Sequence, residues 1–204
     1  MTSFDNLAQG WDTPDKVARA NKAAQAILRL LPSIKDTNAL EFGGGTALLS
    51  QALQTKVKKI SIIDRSEAMV NQIRSKIAKF QYHNMEVFHA DIRTFDANGA
   101  LFGLVYSLLT LHHIDPVSEA FNRVSAIQEK GSYLVNFDLY PEDGSFHNHN
   151  NGTHLGFSSE YMDTELAKAG YKQLFYETAF VITKPRNGSE LVDYPVFISV
   201  AEKL

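Results

Sequence analysis

The sequence predicts an α/β domain in which a mostly parallel sheet is covered by helices on both faces. Three observations carry that expectation. Short apolar, β-branched runs alternate with segments whose apolar residues recur at helical spacing. The runs are continuously apolar instead of alternating, as in strands buried on both sides. Between them lie turns opened by glycine or by a helix cap, with no repeat or low-complexity tract to divide the chain.

Taken in order, Thr13-Pro14 reads as an N-cap with proline at the first helical position, and Val17, Ala20, Ala24, Ile27, Leu28 and Leu31 form an apolar stripe that stops before Pro32. Residues 38–42 form a strand running into Gly43-Gly44-Gly45, and 46–54 resume a helical pattern. A second strand at 60–64 leads to Ser66 as a cap and to Met69, Ile73, Ile77 and Phe80 at helical spacing. Strands follow at 85–90, 101–110 and 133–139, with a helix from about Pro116 that places Val117, Phe121, Val124 and Ile127 on one face. A polar loop at 140–156, a helix at 158–169 and two strands near 171–183 and 195–201 close the chain, the stretch 183–195 being a hairpin-like excursion rich in turn residues. The expected organisation is one domain over 1–204: an N-terminal lid and helix (1–32), a cofactor-binding core (33–140), and an acceptor loop, helix and closing strands (141–204).

Composition narrows the function classes. The 204 residues carry a net charge of −3, so no broad cationic face is available for nucleic-acid phosphates or anionic lipid. No apolar run approaches the roughly 18 residues of a membrane span. The start has no apolar signal core, and the absence of cysteine rules out disulfides, thiolate metal sites and a cysteine nucleophile. A cytoplasmic protein with no nucleic-acid or membrane partner is expected.

Chemistry concentrates at strand ends. Glu41-Phe42-Gly43-Gly44-Gly45-Thr46-Ala47 is a strand-to-helix turn where missing Cβ atoms let backbone approach a ligand. As a dinucleotide fingerprint it fails at the third glycine, where Leu48 stands, and Glu41 would repel a pyrophosphate while attracting an ammonium. Asp64 ends the next strand, where a carboxylate accepts ribose hydroxyl protons, and Asp91-Ile92 at a third strand end suits an adenine amine with an apolar neighbour.

Together the segments E-F-G-G-G-T-A, I-I-D-R-S-x-x-M, H-A-D-I and Y-S-L-L-T-L-H-H-I resemble the class I S-adenosylmethionine-dependent methyltransferases over at least residues 38–140, and in particular small-molecule members of that family. The resemblance implies a Rossmann-like, doubly wound seven-stranded sheet with a reversed last strand, S-adenosylmethionine as cofactor, and a small-molecule acceptor. It places Glu41 near the methionine ammonium, the Phe42 to Gly45 backbone under methionine and ribose, and Asp64 on the ribose hydroxyls. Arg65 and Met69 flank the ribose and adenine, Asp91 and Ile92 meet the adenine, and Leu108 lies beside the cofactor. Ala47 replaces the usual last glycine, and Gly103 stands where an acid is common. The Asp/Asn-Pro-Pro-aromatic segment of base amino-methylating members is missing, so that chemistry is disfavoured.

Histidines supply the remaining signal. His112, His113, His147, His149 and His154 all follow strands four and five, with His112 or His113 expected to take the acceptor's proton and Trp11, Tyr106, His147, His149 and His154 to line the acceptor side. A metal site from His147, His149, His154 and Asp138 is the sharper alternative, but the H-N-H-N-N run has no rigid helical spacing and no metal is expected. Phe4, Leu7 and Trp11 mark residues 1–13 as a lid. The competing functions are an NAD(P)-dependent oxidoreductase on a related fold and a non-catalytic S-adenosylmethionine-binding module.

Overall fold

The structure is a computed structural model that describes residues 8, 10–31, 33–147, 154–186 and 190–204. Its elements run α1 (Pro14–Leu30), β1 (Asn38–Phe42), α2 (Leu48–Leu53), β2 (Lys59–Asp64), α3 (Glu67–Phe80), β3 (Met85–His89), β4 (Leu104–Leu108), α4 (Val117–Ala126), β5 (Tyr133–Leu139), α5 (Ser159–Lys168), β6 (Tyr171–Arg186) and β7 (Glu190–Lys203). The seven strands form one sheet in the order β3-β2-β1-β4-β5-β7-β6. The β1, β2, β3, β4 and β5 ladders are parallel, whereas β7 runs antiparallel between β5 and β6, which gives the expected reversed last strand.

Alternation along each strand sorts the side chains into two cores. Leu104 and Tyr106 of β4 pack with α1, α2 and Ile73 of α3, while Val105 packs with α4 and α5 on the opposite face. Helices therefore cover both faces, which is why the strands read as unbroken apolar runs. The helix starts follow their caps: Thr13 accepts from Lys16 N–H, Ser66 from Met69 N–H and Ser158 from Tyr161 N–H. Val17 and Phe80, at the ends of α1 and α3, lie outside the core that Ala20, Ala24, Ile27, Leu28, Leu31, Ile73 and Ile77 join, and Met69 is buried at the cavity wall instead. Among the described residues no helix is long and apolar enough to cross a membrane.

Two expectations change. Strand β4 is shorter than 101–110, because Gly103 N–H bonds to Asn38 O before it and Leu109 turns left-handed (φ +54°) after it. The excursion at 183–195 is not a detour: β6 and β7 keep pairing outward to Arg186↔Glu190, so turn-rich residues such as Pro185 and Asp193 sit within a long hairpin.

Candidate functional site

The carboxyl ends of β1, β2 and β4, the turns after them, and α1 enclose a cavity of about 580 Å³. Its position, where the strand order reverses on either side of β1 and β4, is where open α/β sheets bind ligands. The glycine turn forms one wall. Gly43 and Gly45 have φ of +64° and +57°, and a Cβ on Gly43 would lie 2.1 Å from Thr110 Cγ2. Thr110, on the turn after β4, also donates to Gly43 O at 3.1 Å and so ties the two turns together. Ala47 occupies the left-handed region too (φ +62°), which explains why glycine is usual there in the family that the sequence resembles.

Asp64, at the end of β2, accepts from Gly45 N–H through Oδ2 (2.7 Å) and from Ser66 N–H through Oδ1 (2.8 Å), so one carboxylate fixes both the glycine turn and the start of α3. Burial raises its pKa against those two hydrogen bonds. Glu41 is buried beneath the turn and accepts from the Ser50 hydroxyl of α2; Tyr106 OH lies 2.7 Å from the same Ser50 oxygen. Burial pushes the Glu41 pKa up to about 8. Met69 and Ile92 present buried apolar surface to the cavity, and Asp91 is held by Arg93 (2.7 Å) and Arg65 (3.3 Å), which keep its carboxyl below the usual carboxylate range. Phe42, Gly44, Arg65 and Leu108 line the same cavity.

On the opposite side, the short helical turn Leu111–His113 after β4 and the turn Ser145–His147 after β5 bring His112, His113 and His147 together. Their ring centroids are 4.0 to 5.1 Å apart. His112 is buried, donates from Nδ1 to Asp138 Oδ1 at 2.7 Å, and turns Nε2 to His147 Nε2 at 2.9 Å. Burial and the neighbouring rings hold the His147 pKa down at about 4, so it is neutral near pH 7. Trp11 approaches the glycine turn, its Nε1 lying 3.5 Å from where a Gly45 side chain would begin, and Lys16 Nζ stands 3.3 Å from the centre of its ring. Asp12 anchors this approach through Lys76 Nζ (2.6 Å) and the Thr46 hydroxyl.

Two expected acceptor-side residues fall elsewhere. Tyr106 is fully buried and absent from the cavity wall, because its mid-strand position points it into the interface with α2. His154 also lies off the wall: its N–H bonds to His112 O and its ring packs on Phe157 and Tyr161. His149, with Phe4 and Leu7 of the expected lid, lies outside the described residues. Asp12, Lys16, Ser50, Thr110 and Phe146 are contributors that sequence reasoning passed over; only the Thr110 position, next to Y-S-L-L, offered a local signal.

Residues 39–131 match the methyltransferase domain family. The matched segment is similar to methyltransferase domains and carries the glycine turn, Asp64, Asp91 and the Leu111–His113 turn. An uncharacterized methyltransferase of Mycobacterium tuberculosis is 25% identical over 121 residues, a stretch covering 59% of this chain and 60% of that protein. The chain thus spans about three fifths of the length of the curated relatives it matches. A solved S-adenosylmethionine-dependent methyltransferase from Aquifex aeolicus shares the fold at a TM-score of 0.74 and 16% identity, covering 98% of each chain. A Haloferax volcanii methyltransferase, solved in complex with the Trm112 methyltransferase activator, superposes at 0.80 with 14% identity over 99% of this chain and 98% of that one.

The wall fits S-adenosylmethionine, the cofactor that the sequence resemblance implies. The left-handed glycines leave backbone, and no Cβ, facing the cavity, Asp64 retains acceptor capacity beyond its two N–H donors, and Glu41 is a buried acid on the cavity wall. Leu48, the first residue of α2, occupies the position where a dinucleotide fold needs a third glycine.

Proposed function

We propose that this chain transfers a methyl group from S-adenosylmethionine to a small-molecule acceptor bound between Trp11 and the histidine cluster. The observation that carries the reading is a single cavity that has the glycine turn, Asp64 and Asp91 on one wall and His112, His113 and His147 on the other. In this reading Glu41 meets the methionine ammonium, Asp64 the ribose hydroxyls, and Asp91 with Ile92 the adenine. Arg65 and Met69 flank the nucleoside, and Phe42 and Leu108 close its apolar sides.

When bound, S-adenosylmethionine supplies an electrophilic methyl: a bond forms between that carbon and an acceptor heteroatom while the carbon–sulfur bond breaks, its electron pair staying on sulfur as S-adenosylhomocysteine. The protein's part is to align the acceptor, exclude water and receive the acceptor's proton. His112 or His113 takes that proton. Asp138 fixes the His112 ring through Nδ1, and a neutral His147 alongside can accept onward. Trp11 and Lys16 cover the opening above Gly45.

At Gly103, where an acid is common in the family that the sequence resembles, a Cβ would lie 2.7 Å from Thr37 Cγ2, so packing accounts for the glycine and it carries no argument for a non-catalytic module. An oxidoreductase is disfavoured by Leu48 and Glu41. A cytoplasmic location is part of the proposal, resting on the absence of cysteine. The test is to incubate the protein with methyl-labelled S-adenosylmethionine and fractionated small metabolites. Label in a product together with S-adenosylhomocysteine supports the reading; turnover of NAD(P)H in place of either overturns it.

A further inference from the structure

Deepening that reading, we propose that His112, His113 and His147 are the three protein ligands of a divalent transition-metal ion, zinc above others, whose open position takes an ionisable hydroxyl or thiol of the acceptor.

One ligating nitrogen from each ring lies within 4.8 Å of the others. Tetrahedral zinc with bonds of ~2.0–2.1 Å to nitrogen needs donor atoms ~3.3–3.4 Å apart, so small ring rotations bring this set into place. The 2.9 Å approach of His112 Nε2 to His147 Nε2 sets two ligand atoms face to face. His112 is already oriented as a metal-bound imidazole is oriented, with Nδ1–H on the Asp138 carboxylate and Nε2 directed to the cluster. Asp138 is in turn held by the N–H groups of His112 (3.2 Å) and Leu139 (2.7 Å), so the ring sits on a rigid support at the end of β5. Three nitrogen ligands leave a coordination position open, the arrangement of metal sites that bind a reactant rather than brace a fold.

The set differs from the one the sequence pointed to. His154 contributes a backbone N–H to His112 O and directs its ring to Phe157 and Tyr161, and Asp138 stands behind a ligand instead of acting as one. All three ligands line the cavity that also holds the glycine turn, so the metal's open position faces the cofactor wall. A hydroxyl or thiol bound there would give its proton to solvent at neutral pH, so that in the metal-loaded protein no histidine need act as base, and its oxygen or sulfur would take the methyl as the carbon–sulfur bond of S-adenosylmethionine breaks.

The 204-residue chain, stripped with a chelator, is titrated with Zn²⁺ by competition against a chromophoric chelator and with Co²⁺ by visible absorption. One ion per chain is expected, with Co²⁺ bands of low coordination number. His147→Ala and His113→Ala should each abolish stoichiometric binding, and Asp138→Asn should weaken it about 10- to 100-fold. Circular dichroism and S-adenosylhomocysteine calorimetry identify variants that fold. Wild-type affinity for both ions no higher than that of His147→Ala, or stoichiometric binding that survives both histidine variants, overturns the metal site. S-adenosylhomocysteine binding to the metal-free protein separates the two claims: with binding intact, a negative metal result removes the metal alone, whereas absent binding removes the methyltransferase reading on which it rests.

Discussion

At Gly43 the backbone conformation and the surroundings make the same demand. The left-handed φ excludes an ordinary side chain, and Thr110 fills the space a Cβ would need. Gly43→Val should therefore displace the turn and weaken S-adenosylhomocysteine binding. Asp64→Ala removes an acceptor from two backbone N–H groups and, in the proposed reading, from the ribose as well. Lost hydrogen bonds to a charged group are worth ~1.5–3 kcal/mol, so calorimetry should show at least a roughly tenfold weakening. Glu41 gives a prediction in protons. Its acid is held near pKa 8 against an ordinary 4.5, so the native state keeps a proton that the unfolded state releases, and stability falls as pH rises from 4.5 to 8. Glu41→Gln should flatten that slope in denaturant titrations. An arriving ammonium should favour the ionised form, so binding at pH 7 releases protons, seen as a dependence of binding heat on buffer ionisation enthalpy. Asp64, Asp91 and the glycines were legible from sequence because they sit at strand ends, where position alone implies exposure to the cavity. Tyr106 was not, since two residues of strand separate a wall position from a buried one and side-chain direction depends on which helix lies opposite.

The elements that cap themselves were the readable ones. Thr13, Ser66 and Ser158 announce α1, α3 and α5 by local hydrogen bonds that need no tertiary partner. The β6–β7 hairpin was cut short in sequence because Pro185 and Asp193 look like turn formers, and only their cross-strand pairing to Leu191 and Thr183 keeps them in the ladder. The approach of α1 is equally non-local, since Asp12 finds Lys76 on α3. Asp12→Ala should loosen that approach. Trp11 is the single tryptophan, so its emission should shift to the red in the variant and respond less to S-adenosylhomocysteine than in wild type. An unchanged spectrum would show that Trp11 is held by α1 alone. Ala47, at the entrance to α2, carries a left-handed strain of ~1–2 kcal/mol, partly offset in glycine by its freer unfolded chain. Ala47→Gly should thus leave the protein equally stable or up to about 1 kcal/mol more stable by denaturant midpoint.

Across the molecule, the sheet divides the work. Turns after β1, β2 and β3 supply the wall proposed for the cofactor, turns after β4 and β5 supply the histidines, and α1 closes the space between them. The reversed β7 extends the sheet beyond β5, and its ladder partner positions at Phe137, Asp138 and Leu139 hold the strand end that carries Asp138. The sequence pattern disclosed this division because helices separate the first five strands everywhere but between β3 and β4; the meeting of His112, His113 and His147 depends on two turns after different strands, and no spacing in the chain encodes it. The central claim is that one cavity holds S-adenosylmethionine against the glycine turn with its reactive end facing those histidines. A crystal structure with S-adenosylhomocysteine tests it most directly. The account predicts ribose hydroxyls on Asp64, adenine beside Asp91 and Ile92, and the sulfur directed toward His112, His113 and His147. A ligand bound elsewhere, or in this cavity with its sulfur turned away from the three imidazoles, would contradict it.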